Sequence, residues 1–138
     1  MLFRSERIHF TSENDSRRRQ VLALSAELAS AVVVAARPDV RSIRAARAGC
    51  LDALVSEVEE LEVVRIVIER EDSLLQADRT LLFSRFRSAS QHSALWSYGW
   101  QRAHEEPLLW LADAHAWAQT KGGSWRTAAE SRLEIRNV

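Results

Sequence analysis

The sequence predicts an α/β domain with parallel strand pairing. Short β-branched or aromatic runs, Ala31–Ala36, Val63–Ile68 and Leu95–Trp100, alternate with longer segments whose apolar residues recur at helical spacing. The composition agrees: 46% hydrophobic and 28% charged residues over 138 positions is ordinary for one globular domain spanning residues 1–138. A chain of this length buries roughly two-thirds of its unfolded surface, enough for a core without covalent staples.

Arg7–Phe10 is a brief strand candidate, and Thr11–Asp15 is rich in side chains that cap helices. A helix follows to about Leu28, with Val21, Leu24 and Leu28 on one face. Val32-Val33-Val34 lies in a run short enough for a buried strand, and Pro38-Asp39 marks a turn. The clearest periodicity comes next: Ile43, Cys50, Leu51, Leu54, Val55, Val58 and Leu61 share a stripe, with Glu57, Glu59, Glu60 and Glu62 largely off it. Val63–Ile68 predicts a buried strand, and Ser73 opens a helix reaching about Arg87. In Leu95–Trp100 the aromatics Trp96, Tyr98 and Trp100 fall on one side of a strand. Pro107 suits the first turn of a helix to about Thr120, which Gly122-Gly123 ends. A short helix from Ser124 and a strand-like tail complete the order.

The balance of 19 basic and 19 acidic residues argues against a binder driven by bulk positive charge. Eighteen of the basic residues are Arg, with Lys121 the one Lys, a bias read as GC-rich coding or as phosphate recognition by guanidinium forks. Cys50, the single cysteine, has no partner for an internal disulfide, so a reducing, cytoplasmic setting is expected. MLFRSERIHF carries charge too early for a signal peptide, and no apolar stretch is long enough to span a bilayer. No membrane partner is expected.

Asp113 is the most informative candidate. Its helical neighbours Leu109, Trp110, Ala116 and Trp117 are all apolar, so its carboxylate is expected to be buried and paired, to face a cleft, or to lie at an exposed seam. Glu69, Glu71 and Asp72 crowd the carboxyl end of the Val63–Ile68 strand, where open α/β sheets bind ligands. Oxygen ligands there suit Mg²⁺ or Mn²⁺, while Asp72 or Ser73 is equally placed to cap the next helix. Glu105 and Glu106 stand about two turns before Asp113, where one shares its face; favourable interaction with the helix dipole also explains them. The four histidines lack metal-ligand spacing, His115 reads as a core residue, and Cys50 reads as inert. Arg17, Arg18 and Arg19 form either a solvated face or a phosphate-contacting patch. The Trp96/Tyr98/Trp100 stripe is either core or a stacking platform for bases.

Two segments then carry a family resemblance. The run Trp96-Ser97-Tyr98, Arg102 through Ala114, Trp117 and Lys121 through Arg126 resembles the C-terminal signature of uncharacterised actinobacterial proteins. Those proteins are similar to a widespread ribonuclease H-like family of unknown function. Arg65–Leu74 with Asp78-Arg79, and Ile8-His9-Phe10, are similar as well. The resemblance implies a mixed sheet flanked by helices and a two-metal site for phosphodiester hydrolysis. Matched by motif, Asp113 is the acid on the final helix and Glu69 or Asp72 the acid after the central strand; Glu106 is a further candidate ligand without an assured counterpart. The family's leading Asp-Glu-Ser strand has no match here. The expectation is a chain shortened at its N-terminus, or a remnant lacking one catalytic acid, with an open sheet edge favouring a homodimer. Three functions follow as expectations: a metal-dependent nuclease or its inactive remnant, a homo-oligomeric interaction module, and a nucleic-acid-binding module.

Overall fold

The computed structural model describes residues 13–28, 31–36, 42–62, 64–88, 95–129 and 133–137. The expected strand at Arg7–Phe10 and the turn at Pro38-Asp39 lie outside them. The element order is α1 (Asp15–Leu28), β1 (Ala31–Ala35), α2 (Ile43–Val58), β2 (Val64–Glu69), α3 (Leu75–Ser88), β3 (Trp96–Gln101), α4 (Pro107–Lys121), α5 (Gly123–Ala129) and β4 (Leu133–Asn137). The architecture is mixed α/β and mostly helical. β2 pairs with β3 in parallel, and β1 pairs with β4 in a separate two-stranded sheet. Two compact units emerge, one holding α2, β2, α3 and β3, the other α1, α4 and α5.

In the first of these units, β2–α3–β3 forms a strand–helix–strand crossover. Its register aligns Val64 with Trp96, Ile66 with Tyr98 and Ile68 with Trp100. Period-two alternation turns Val64, Ile66 and Ile68, together with the three aromatics, toward α2 and α3. There they pack with Leu51, Val55, Leu82 and Phe86 into one apolar cluster. Phe86 meets Trp96 and Tyr98 edge-to-face at 5.3 and 4.6 Å, and Tyr98 meets Trp100 at 5.6 Å. Such pairs are each worth about 0.5–1.5 kcal/mol beyond the area they bury. The indole N–H of Trp96 donates to the Leu61 carbonyl at 2.9 Å, leaving the buried ring with a satisfied polar end. Ser42 caps α2 by accepting from the Ala45 N–H.

The other unit packs α1 against α4 and α5 through Leu22, Ala114, Ala118 and Ala129, with Val21, Trp117 and Trp125 at the margin. Alanines at the contact let helix axes approach closely, and the large rings close the sides. Glu106 caps α4 by accepting from the Leu108 N–H at 3.1 Å, and Pro107 occupies the first turn. Gly122 ends α4 at φ 72°, a left-handed conformation that favours glycine, while its N–H donates to the Ala118 carbonyl.

The α2 stripe departs from expectation at its ends. Ile43 is 83% exposed and Leu61 lies beyond the helix, half exposed. The packed stretch is the middle of the stripe, centred on Leu51 and Val55. Gly122 alone terminates α4, and Gly123 instead opens α5.

Candidate functional site

At the carboxyl end of β2·β3 a buried carboxylate is present, and it belongs to Asp78 of α3. Asp78 is 3% exposed. The Arg47 guanidinium holds it with a fork, Nε donating to Oδ1 at 3.1 Å and Nη2 to Oδ2 at 2.9 Å. The Trp100 indole N–H donates to Oδ2 at 3.3 Å, and the same Arg47 Nη2 donates to the Glu69 carbonyl at 3.0 Å. Four elements, α2, α3, β2 and β3, are thus tied at one polar point inside an apolar unit. A charge removed from water in this way needs both a partner and further hydrogen bonds, and Asp78 has them.

Sequence reasoning passed over this residue although the signal was present. The neighbour test that singled out Asp113 returns four leucines for Asp78: Leu74, Leu75, Leu81 and Leu82. Arg47 carries the complementary signal, standing four positions from both Ile43 and Leu51 on the α2 stripe.

Asp113 itself is exposed and not buried, which fits the third of the placements that its sequence neighbours allowed. The buried face of α4 is Ala114, His115 and Ala118, and Asp113 shares the solvent side with Ala112 and Ala116. Alanine is compatible with either environment, so an alanine-rich helix does not reveal its inner face by composition. Asp113 stands in the α1/α4/α5 unit, whereas Glu69, Glu71 and Asp72 belong to the β2·β3 unit.

The other candidate acids have local partners. Asp72 is exposed and accepts from the Arg70 Nε at 2.7 Å. Glu71 accepts from the Ser73 hydroxyl at 3.0 Å. Glu106 serves the N-terminus of α4, and Glu105 accepts from the Arg102 N–H at 3.1 Å. Among the described residues no group of three His, Cys, Asp or Glu side chains is arranged to hold a metal ion.

The basic run of α1 packs on tryptophan. The Arg18 guanidinium lies 4.5 Å from the Trp117 ring and that of Arg19 lies 4.3 Å from Trp125, while Trp117 and Trp125 meet edge-to-face at 5.1 Å. Arg18 also pairs with Asp15 at 3.0 Å, and the exposed Arg17 donates its backbone N–H to Asn14. Trp96 is buried, with Tyr98 and Trp100 packed on the same cluster, so this stripe is core and not an exposed base-stacking platform.

His115 is a core residue as expected. Its Nε2 lies 2.6 Å from the Ser25 hydroxyl, both residues are almost wholly buried, and its Nδ1 lacks a hydrogen-bond partner. Burial holds its pKa below the usual histidine value. Burial likewise pushes the Cys50 thiol up, only partly offset by a backbone hydrogen bond from Ala36, which keeps it from being a ready nucleophile. No helix among the described residues is long and apolar enough to cross a membrane. Comparison with family models, with curated proteins and with solved structures gives no match for this chain.

Proposed function

We propose that this chain is a non-catalytic α/β module of ribonuclease H-like ancestry that acts by self-association. One observation carries the reading. β2 and β3 pair only with each other among the described residues, so within that set neither outer edge of this parallel pair, with its Val/Ile-rich β2, meets a further strand. An edge of that kind is a template for another chain, and a two-fold axis satisfies it by symmetry. The engagement of the acids supports the non-catalytic half of the reading. Asp78 is held by Arg47 and Trp100, Asp72 pairs with Arg70, and Glu106 caps α4.

Light scattering across a concentration series tests the association, with a dimer expected at micromolar chain; a monomer at every concentration would remove it. Metal dependence separates the catalytic alternative. Titration with Mg²⁺ or Mn²⁺ to millimolar levels is expected to leave the melting temperature unchanged. Saturable stabilisation that disappears in Asp113→Asn or Glu69→Gln would instead favour the nuclease.

A further inference from the structure

The β2·β3 pair has two outer edges, and they are not equivalent. The Gln101 carbonyl accepts from the Arg70 N–H at 2.9 Å, so Gln101 directs its backbone groups at β2. By alternation Ser97 and Gly99 do the same, while Trp96, Tyr98 and Trp100 direct theirs to the outer side. On β2 the outward backbone groups belong to Arg65, Val67 and Glu69.

Three observations single out β3 as the edge that another strand joins. The outward Glu69 carbonyl of β2 already accepts from the Arg47 Nη2 at 3.0 Å, whereas among the described residues β3 pairs with β2 alone. Arg65 and Glu69 place charge along β2, a device that blunts an edge, and Trp96–Gln101 carries none. Apolar cover also thins toward β3. Val64, Ile66 and Ile68 are all buried, but of the aromatics beside them only Trp96 is, with Tyr98 and Trp100 half-buried. A sheet that continues past β3 covers what is left of those rings.

We infer that a second copy of this chain docks on β3 in antiparallel orientation, about a two-fold axis at Tyr98. The inference specifies the surface of the self-association proposed above and rests on that reading. Centring on Tyr98 is the register that pairs every outward group of the strand. Tyr98 exchanges both backbone hydrogen bonds with its symmetry mate, and Trp96 does so with Trp100 of the second copy. The lone parallel pair then becomes the inner half of a four-stranded sheet, past the size at which sheets are stable by themselves. One face of the new seam sets Trp96 beside Trp100 of the second copy and Tyr98 beside its mate, pairings that stabilise adjacent strands. On the other face Ser97 meets Gly99 of the second copy. A Cβ built on Gly99 has nothing within 4 Å, so the approach there is unobstructed.

Amide hydrogen exchange of the full chain at low and high concentration, with light scattering on the same samples, tests the surface. Association is expected to slow exchange at Trp96, Tyr98 and Trp100 by about tenfold or more and to leave Arg65 and Val67 unchanged. Charge tests the register. A chain carrying Ser97→Lys with Gly99→Lys sets like charges opposite each other on both sides of the axis, as does one carrying Ser97→Glu with Gly99→Glu. Each is expected to dimerise about tenfold more weakly than the wild type, and their equimolar mixture to recover wild-type affinity or better. Ser97 is exposed and Gly99 is free of positive φ, so both positions accept the longer side chains. The exchange measurement needs only the wild-type chain and decides the question even if a variant misfolds. Dimers whose β3 amides gain no protection, or charged variants that associate as the wild type does, would overturn this surface and leave self-association standing. Monomers at every concentration would remove both.

Discussion

Removing the Asp78 carboxylate leaves the Arg47 guanidinium facing an apolar unit with only the Glu69 carbonyl from the network described above. Asp78→Ala is therefore expected to cost about 3 kcal/mol by denaturant unfolding, at the low end for a broken buried pair because Arg47 keeps some contact with water. Asp113→Asn, on an exposed helix face, is expected to stay within about 0.5 kcal/mol of the parent in the same measurement. The contrast shows what one residue's neighbours reveal. Apolar neighbours three and four positions away identify a buried acid when they are four leucines, as around Asp78. They mislead when one is an alanine on the solvent side, as with Ala116 beside Asp113. The partner was harder to read than the acid, because Arg47 and Asp78 lie on different helices and their meeting depends on how α2 packs on α3.

At the scale of elements, the contact between α1 and α4 contains a proton-sensitive point. His115 is buried neutral beside Ser25, and its pKa lies below the ordinary value. The unfolded chain therefore binds a proton near pH 6.5 that the folded chain refuses, so the contribution is complete above that pH and declines as pH falls toward the folded pKa. Melting temperature is expected to drop on going from about pH 7.5 to 5.5, and His115→Gln should flatten that part of the profile. Element boundaries were largely legible. β-branched runs gave β1 and β2, aromatic alternation gave β3, and Pro107 with Gly122 bracketed α4. The ends of the α2 stripe were not, since periodicity assigns a face to a helix without stating how far along it a neighbour reaches. Arg18 and Arg19 show the same limit: the basic run reads as a surface feature, and nothing local tells that Trp117 and Trp125, about a hundred residues later in the chain, come to lie beside two of its guanidinium groups.

Across the molecule the two units differ in what holds them. The β2·β3 unit centres on large interlocking side chains, Leu82, Phe86 and Trp96 among them, whereas the three-helix unit relies on three alanines and one leucine at its buried centre. Native-state hydrogen exchange is expected to open α1, α4 and α5 at lower free energy than β2, β3 and α3; uniform protection across both units would contradict this. The mixed α/β class and the parallel pairing were readable from alternation alone, while the division into two packed units depends on long-range contacts that no local pattern encodes. The parallel ladder also has a kinetic consequence. Its strands are separated by roughly thirty residues, and bringing such distant segments together is entropically unfavourable until something shortens the path. α3 is that something. Winding a helix takes about a microsecond or less, so pairing of β2 with β3 across that span, and not the winding of α3 itself, is expected to limit the folding rate.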